Sequence, residues 1–194
     1  MQQVSVLPIS FGTKPVGTGG FLDPLSIVEQ FGIKEGMKVA DLGSGSGYFA
    51  IYMAERVGAS GKVYALDILE DKLDNLRARA RSQGLKNIET VRTNLEVLGS
   101  SSLPDSSQDF VLISNVLFQS QKQEDIIKEG VRVLKTKSEF VIIDWNKGTG
   151  GFGPPDDLRP SQESIASAAE RQGLLFVRAL NAGQFHFGLV FNKK

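Results

Sequence analysis

Val39-Ala40-Asp41-Leu42-Gly43-Ser44-Gly45-Ser46-Gly47-Tyr48-Phe49-Ala50 runs from an apolar stretch ending near an acid, through three alternating glycines, into an apolar pattern at helical spacing. Read physically, it is a strand, a loop without side-chain bulk and the start of a helix. Such a loop lets a ligand lie against bare backbone and the positive end of a helix. A dinucleotide fingerprint needs Gly-x-Gly-x-x-Gly, and its third glycine position is occupied here by Tyr48. A second acid, Asp67, closes the next apolar run, Lys62-Val63-Tyr64-Ala65-Leu66-Asp67. An acid there suits the two hydroxyls of a ribose, which donate to a carboxylate.

Working outward, residues 1–20 hold prolines and a Gly-Gly break with little periodicity and read as an N-terminal arm. Residues 21–194 read as a single domain, which the length of 194 residues allows. Asp23 with Pro24 starts a helix reaching about Phe31, and a second helix runs from about Tyr48 to Val57 with Phe49, Met53 and Val57 inward. Further helices are expected over Asp71–Gln83, Glu124–Leu134 and Ser161–Gln172, with Gly84 as a C-terminal cap. Strands are expected at Val63–Asp67, Ile88–Arg92, Phe110–Ile113 and Phe140–Ile143; the last two are continuous apolar runs suited to a sheet buried on both faces. Leu174–Leu180 and Gln184–Phe191 alternate around Asn181-Ala182-Gly183, a hairpin turn. Strands and helices alternate and a hairpin closes the chain, which implies an α/β fold with a parallel sheet and a reversed strand near one edge.

Hydrophobic residues make up 41% and charged residues 23%, as in a globular protein. Lys plus Arg equals Asp plus Glu at 22 each, so no overall field draws nucleic acid or an anionic membrane. There are no cysteines, which excludes disulfides, thiolate metal sites and cysteine nucleophiles. No metal is expected, and with neither signal peptide nor long apolar run the default is a cytoplasmic protein, monomer or homodimer.

Asp41-x-Gly-x-Gly-x-Gly together with Asp67 resembles the class I S-adenosylmethionine-dependent methyltransferases. Asn94-Leu95 after the third strand, Leu103-Pro104-Asp105 through Phe110, and Arg132-Val133-Leu134-Lys135 are similar to later motifs of that family. Two departures stand out: Asn94 replaces a commoner Asp, and Thr136-Lys137-Ser138 stands where a Pro-Gly-Gly turn is usual. The nearest likeness is to small members of the ubiquinone/menaquinone-biosynthesis group, carried by Ile143-Asp144-Trp145-Asn146-Lys147, Gly153-Pro154-Pro155 and Arg159. Arsenite methyltransferases share this neighbourhood but work through cysteines.

The resemblance implies a Rossmann-like, doubly wound, mostly parallel seven-stranded sheet with a C-terminal antiparallel hairpin. It implies S-adenosyl-L-methionine as cofactor and methyl transfer to a small-molecule acceptor by in-line displacement. The cofactor-binding residues it implies are Asp41, Gly43, Ser44, Gly45, Gly47, Asp67, Ile68, Asn94, Leu95 and Asn115, with Phe21 of the arm as a cover. No general base is identified; His186, the sole histidine, and Asp144 are the candidates. Two other readings stay open at this point: a non-catalytic subunit that binds the same cofactor, and a NAD-dependent oxidoreductase.

Overall fold

The computed structural model describes residues 22–194, so the 1–20 arm and Phe21 lie outside the described residues. Helix α1 (Pro24–Val28) begins where Asp23 Oδ1 accepts from the Leu25 N–H at 3.2 Å, with Pro24 at the first helical position. It ends three residues before the expected Phe31. Strand β1 (Lys38–Leu42), helix α2 (Tyr48–Val57), strand β2 (Lys62–Asp67), helix α3 (Glu70–Ser82) and strand β3 (Ile88–Arg92) follow. Then come β4 (Gln108–Ser114), a 3-10 turn at Leu117–Gln119, α4 (Gln123–Val133), β5 (Leu134–Trp145), a second 3-10 turn at Asp156–Leu158, α5 (Gln162–Arg171), β6 (Leu174–Leu180) and β7 (His186–Lys193).

The seven strands form one sheet in the order β3-β2-β1-β4-β5-β7-β6. Strands β1 to β5 pair in parallel, and β7 runs antiparallel to both β5 and β6. Phe110–Ile113 and Phe140–Ile143 are buried throughout, because helices cover both faces. One face packs Val39, Phe110, Leu112 and Val141 against α1, α2 and α3; the other packs Leu42, Val111, Phe140 and Ile142 against α4 and α5. Phe49, Met53 and Val57 point into the first of these layers, as their spacing predicts.

Two further boundaries differ from expectation in ways that matter to the fold. Strand β5 starts at Leu134 rather than Phe140, directly from α4. The expected turn survives inside it as an irregularity: pairing jumps from Gln108↔Leu134 to Phe110↔Glu139, and Lys137 takes a left-handed φ of 62°. A non-glycine residue there carries the local strain that the usual glycine avoids. The C-terminal connection is longer than a tight turn, since β7 begins at His186; Asn181 Oδ1 caps the bend by accepting from the Gly183 N–H at 3.2 Å. Among the described residues no helix is long and apolar enough to cross a membrane.

Candidate functional site

The chain leaves β1 outward through β2 and β3, then returns to the other side of β1 with β4. The point where the order reverses lies between β1 and β4, and the crevice at the carboxyl ends of such strands is where ligands settle in open α/β sheets. A cavity of about 810 Å³ occupies that place, within the range of ligand pockets. Asp41, Gly43, Ser44, Gly45, Asp67, Ile68, Asn94, Leu95 and Asn115 all line it, so nine residues singled out from sequence meet at one opening.

Their arrangement follows from the loop's backbone. The N–H groups of Gly43 and Ser44 donate to the Leu66 carbonyl at 2.7 and 2.9 Å, which sews the loop to the end of β2. The Gly45 N–H donates to Asp67 Oδ2 at 2.8 Å, and the Leu69 N–H donates to Oδ1 at 2.9 Å. Asp67 is therefore held in place, with lone pairs left over on each oxygen for a ligand's hydroxyls. The glycines divide by role. A Cβ on Gly45 meets nothing within 4 Å, so its bareness leaves space on the ligand side. A Cβ on Gly47 comes 2.1 Å from Leu76 Cδ1, and Gly47 does not line the cavity. Its bareness lets α2 pack against α3.

Five buried polar atoms of the lining have no partner among the described residues: Asp41 Oδ2, Ser44 Oγ, Thr93 Oγ1, Ser114 Oγ and Asn115 Oδ1. Buried polar groups are nearly always hydrogen-bonded, so such a cluster around one cavity fits a polar ligand. Asp41 is 2% exposed, and burial, followed by the nearby Asp67 charge, raises its pKa to about 7 against the opposing Ala50 N–H. The charged lining consists of Asp41, Asp67 and Glu96 against a single Lys72, a balance that favours a cationic ligand group.

The two candidate bases do not line the cavity. Asp144 is wholly buried and takes N–H donations from Leu117 (3.0 Å), Phe118 (3.2 Å) and Trp145 (2.8 Å). His186 is 5% exposed with its ring 4.1 Å from that of Trp145, and both its nitrogens lack hydrogen-bond partners among the described residues. Burial, then the Arg159 charge, lowers its pKa to about 4. Arg159 donates to the carbonyls of Asn146, Pro154 and Phe152 and lies over Trp145, so it organises its own loop. Thr93, Ser114, Lys72 and Glu96 were not foreseen. Thr93 and Ser114 could have been found from position alone, because both stand at the carboxyl ends of strands.

The raised carboxyl pKa values have a measurable consequence. A carboxyl whose folded pKa exceeds its unfolded value binds its proton more tightly when folded, so stability falls as pH climbs between the two values. Asp144 is raised to about 6 by burial, against three backbone N–H groups, and Asp41 to about 7. His186, lowered to about 4, acts in the opposite sense below its usual 6.5 and offsets one of the two carboxyls there, so thermal unfolding of the ligand-free protein shows a net Tm decline from pH 5 to pH 7.5, and Asp41→Asn flattens the upper part of that decline. A Tm that rises across this window contradicts both shifts.

Comparison with known proteins places the chain in a family. A family model described as a methyltransferase domain matches residues 33–174. The chain is 32% identical over 117 residues to the ubiquinone/menaquinone biosynthesis C-methyltransferase of Cronobacter sakazakii, covering 60% of this chain and 45% of that protein. It is 29% identical over 123 residues to the demethylmenaquinone methyltransferase of Geobacillus stearothermophilus, covering 63% and 51%. The chain thus spans about half the length of the curated relatives it matches. A crystal structure of a SAM dependent methyltransferase from Aquifex aeolicus superposes with a TM-score of 0.80 at 30% identity, covering 88% of this chain and 89% of that one.

Proposed function

The chain belongs to the S-adenosylmethionine-dependent methyltransferases, with S-adenosylmethionine as its cofactor, and from that premise we propose that the β1–β2–β4 cavity binds it for methyl transfer to a small-molecule acceptor. The observation that carries the assignment of the site is Asp67, pinned by Gly45 and Leu69 beside a cluster of unpartnered polar atoms. Asp67 receives the ribose hydroxyls, and Asp41, Ser44 and the bare face of Gly45 receive the amino-acid end. Thr93, Asn94 and Leu95 border the base, while Ser114 and Asn115 stand where cofactor and acceptor meet.

When bound, the cofactor supplies an electrophilic methyl group on a sulfonium. The protein's part is to align and to exclude water, and orientation alone is worth roughly 7–11 kcal/mol in such reactions. Leu22, Val116 and Ile126 give the cavity an apolar side, which supports a largely apolar acceptor. The names of the C-methyltransferase relatives are compatible with that class.

The reading is tested by calorimetry with S-adenosylhomocysteine and, separately, with NAD; binding of the first alone is expected. Asp67→Ala then weakens S-adenosylhomocysteine by about 1.5–3 kcal/mol, the scale of hydrogen bonds to a charged group. That is roughly a 10- to 150-fold rise in Kd. An unchanged Kd removes Asp67 from the ribose site.

A further inference from the structure

Asp144 does not touch the cavity, yet the wall of the cavity hangs on it. Strand β4 ends at Ser114, and Asn115 turns into the left-handed region at φ 57° while its N–H donates to the Ile143 carbonyl at 2.9 Å. A non-glycine residue held there is strained unless its surroundings fix it. The 3-10 turn that follows leaves backbone N–H groups without intrahelical partners, and Asp144 Oδ2 accepts two of them, from Leu117 and Phe118. Oδ1 accepts from Trp145, so both carboxylate oxygens are engaged. The same wall is tied from the front, where the Ser120 hydroxyl donates to Glu96 Oε1 at 2.7 Å. Asn115, Val116, Gln119 and Ser120 all border the cavity.

We propose that Asp144 is a positioning residue for methyl transfer: its ionised carboxylate latches the Asn115–Ser120 wall to the end of β5, and protonation releases that latch. The proposal rests on the cavity being the cofactor site. A proton on this carboxyl adds a donor where three donors already converge, and its hydrogen-bond partners among the described residues are all N–H groups, none of which can accept it. No charged side chain from β4, α4, β7 or the 3-10 turn is among those partners. His186 on β7 and Arg159 gather around Trp145, whose side chain points to the opposite face of β5. The burial that raises the Asp144 pKa to about 6 brings the release within reach of mild acid.

Two measurements test this. In amide NMR spectra of the whole protein, the Leu117 and Phe118 signals are expected to titrate together between pH 5 and 8, and Asp144→Asn abolishes that shared titration. By calorimetry, Asp144→Asn raises the Kd for S-adenosylhomocysteine about tenfold at pH 8, the usual scale of coupling through a packed contact. The ratio of variant to wild-type Kd falls toward one at pH 5, which cancels the contribution of Asp41, present in both proteins. A merely structural role gives a ratio that does not change with pH. Amides that titrate independently, or a constant ratio, overturn the latch. Should the variant not fold, the wild-type amide titration decides alone. Should S-adenosylhomocysteine not bind at any pH, the assignment of the cavity fails, while the amides still report on the latch.

Discussion

Arg132→Ala lowers the stability of this protein by about 3 kcal/mol at pH 7, the lower end of the loss that follows when one partner of a buried ion pair is removed. Arg132 on α4 donates to Glu129 one turn earlier at 2.8 and 2.9 Å, to the Leu103 carbonyl and to Ser101 Oγ, and it pairs with Asp105. Glu129 is fully buried and also takes the Gly99 N–H at 2.7 Å and the Ser101 N–H at 3.2 Å. Burial pushes the Glu129 pKa up, but Arg132, Ser101 and Gly99 outweigh it and hold the pKa at about 2. A depressed carboxylate contributes stability that is present above its unfolded pKa and lost as pH falls through the folded one. The gap between wild type and variant is therefore widest at neutral pH and narrows from pH 4.5 toward pH 2. For a domain of this size the loss is worth about 6–12 °C in Tm. Urea unfolding at pH 7 and pH 4 checks both statements. A loss under about 1 kcal/mol would mean that the pair behaves as a solvated surface bridge.

Gly43→Ala and Gly45→Ala separate the two duties of the glycine loop. At Gly43, φ is +81° and a Cβ falls 2.1 Å from Val116 Cγ2. The left-handed backbone costs about 1–2 kcal/mol for any other residue, and overpacking typically adds about 1–3 kcal/mol. Val116 has little freedom to retreat, since Leu117 beside it is tied to Asp144. Gly43→Ala thus loses about 2–5 kcal/mol of stability and most affinity for S-adenosylhomocysteine. At Gly45 the φ of +51° carries the same backbone strain but the space is open, so stability falls by only about 1–2 kcal/mol. The added methyl enters the ligand's volume there, and affinity falls at least as far as at Gly43. Denaturation and calorimetry on both variants read the contrast. Equal losses of stability would erase the distinction.

Much of this architecture was legible in the chain. The apolar runs at Phe110–Ile113 and Phe140–Ile143, the Asp23-Pro24 start and the Ser161 cap each carry a local cause that does not depend on distant residues. The position of Asp67 could also be read, since an acid closing a strand after a glycine loop has a geometric purpose. Partners could not be read. Three alternating glycines look alike until Leu76 and Val116 stand behind two of them. Glu129 and Arg132 look like an ordinary pair on a solvated helix face, and only the 99–105 segment folded over them makes them interior. Asp144 had the profile of a general-base candidate, being a carboxyl at the ligand edge of a sheet. The N–H groups of a turn 27 residues earlier in the chain claim it instead.

The strand order has a bearing on how the molecule assembles. Strand β6 precedes β7 in the chain but meets the sheet only through it, while β7 bridges β6 to β5. An earlier segment must wait for a later one. Until β7 docks, β5 keeps an open edge of buried-type residues from Phe140 to Ile143. Such an edge is a template for pairing with another chain. In this protein the final hairpin is thus also a cover against misassembly, and a lesion that loosens it exposes the apolar run Phe140–Ile143 at the edge of the sheet.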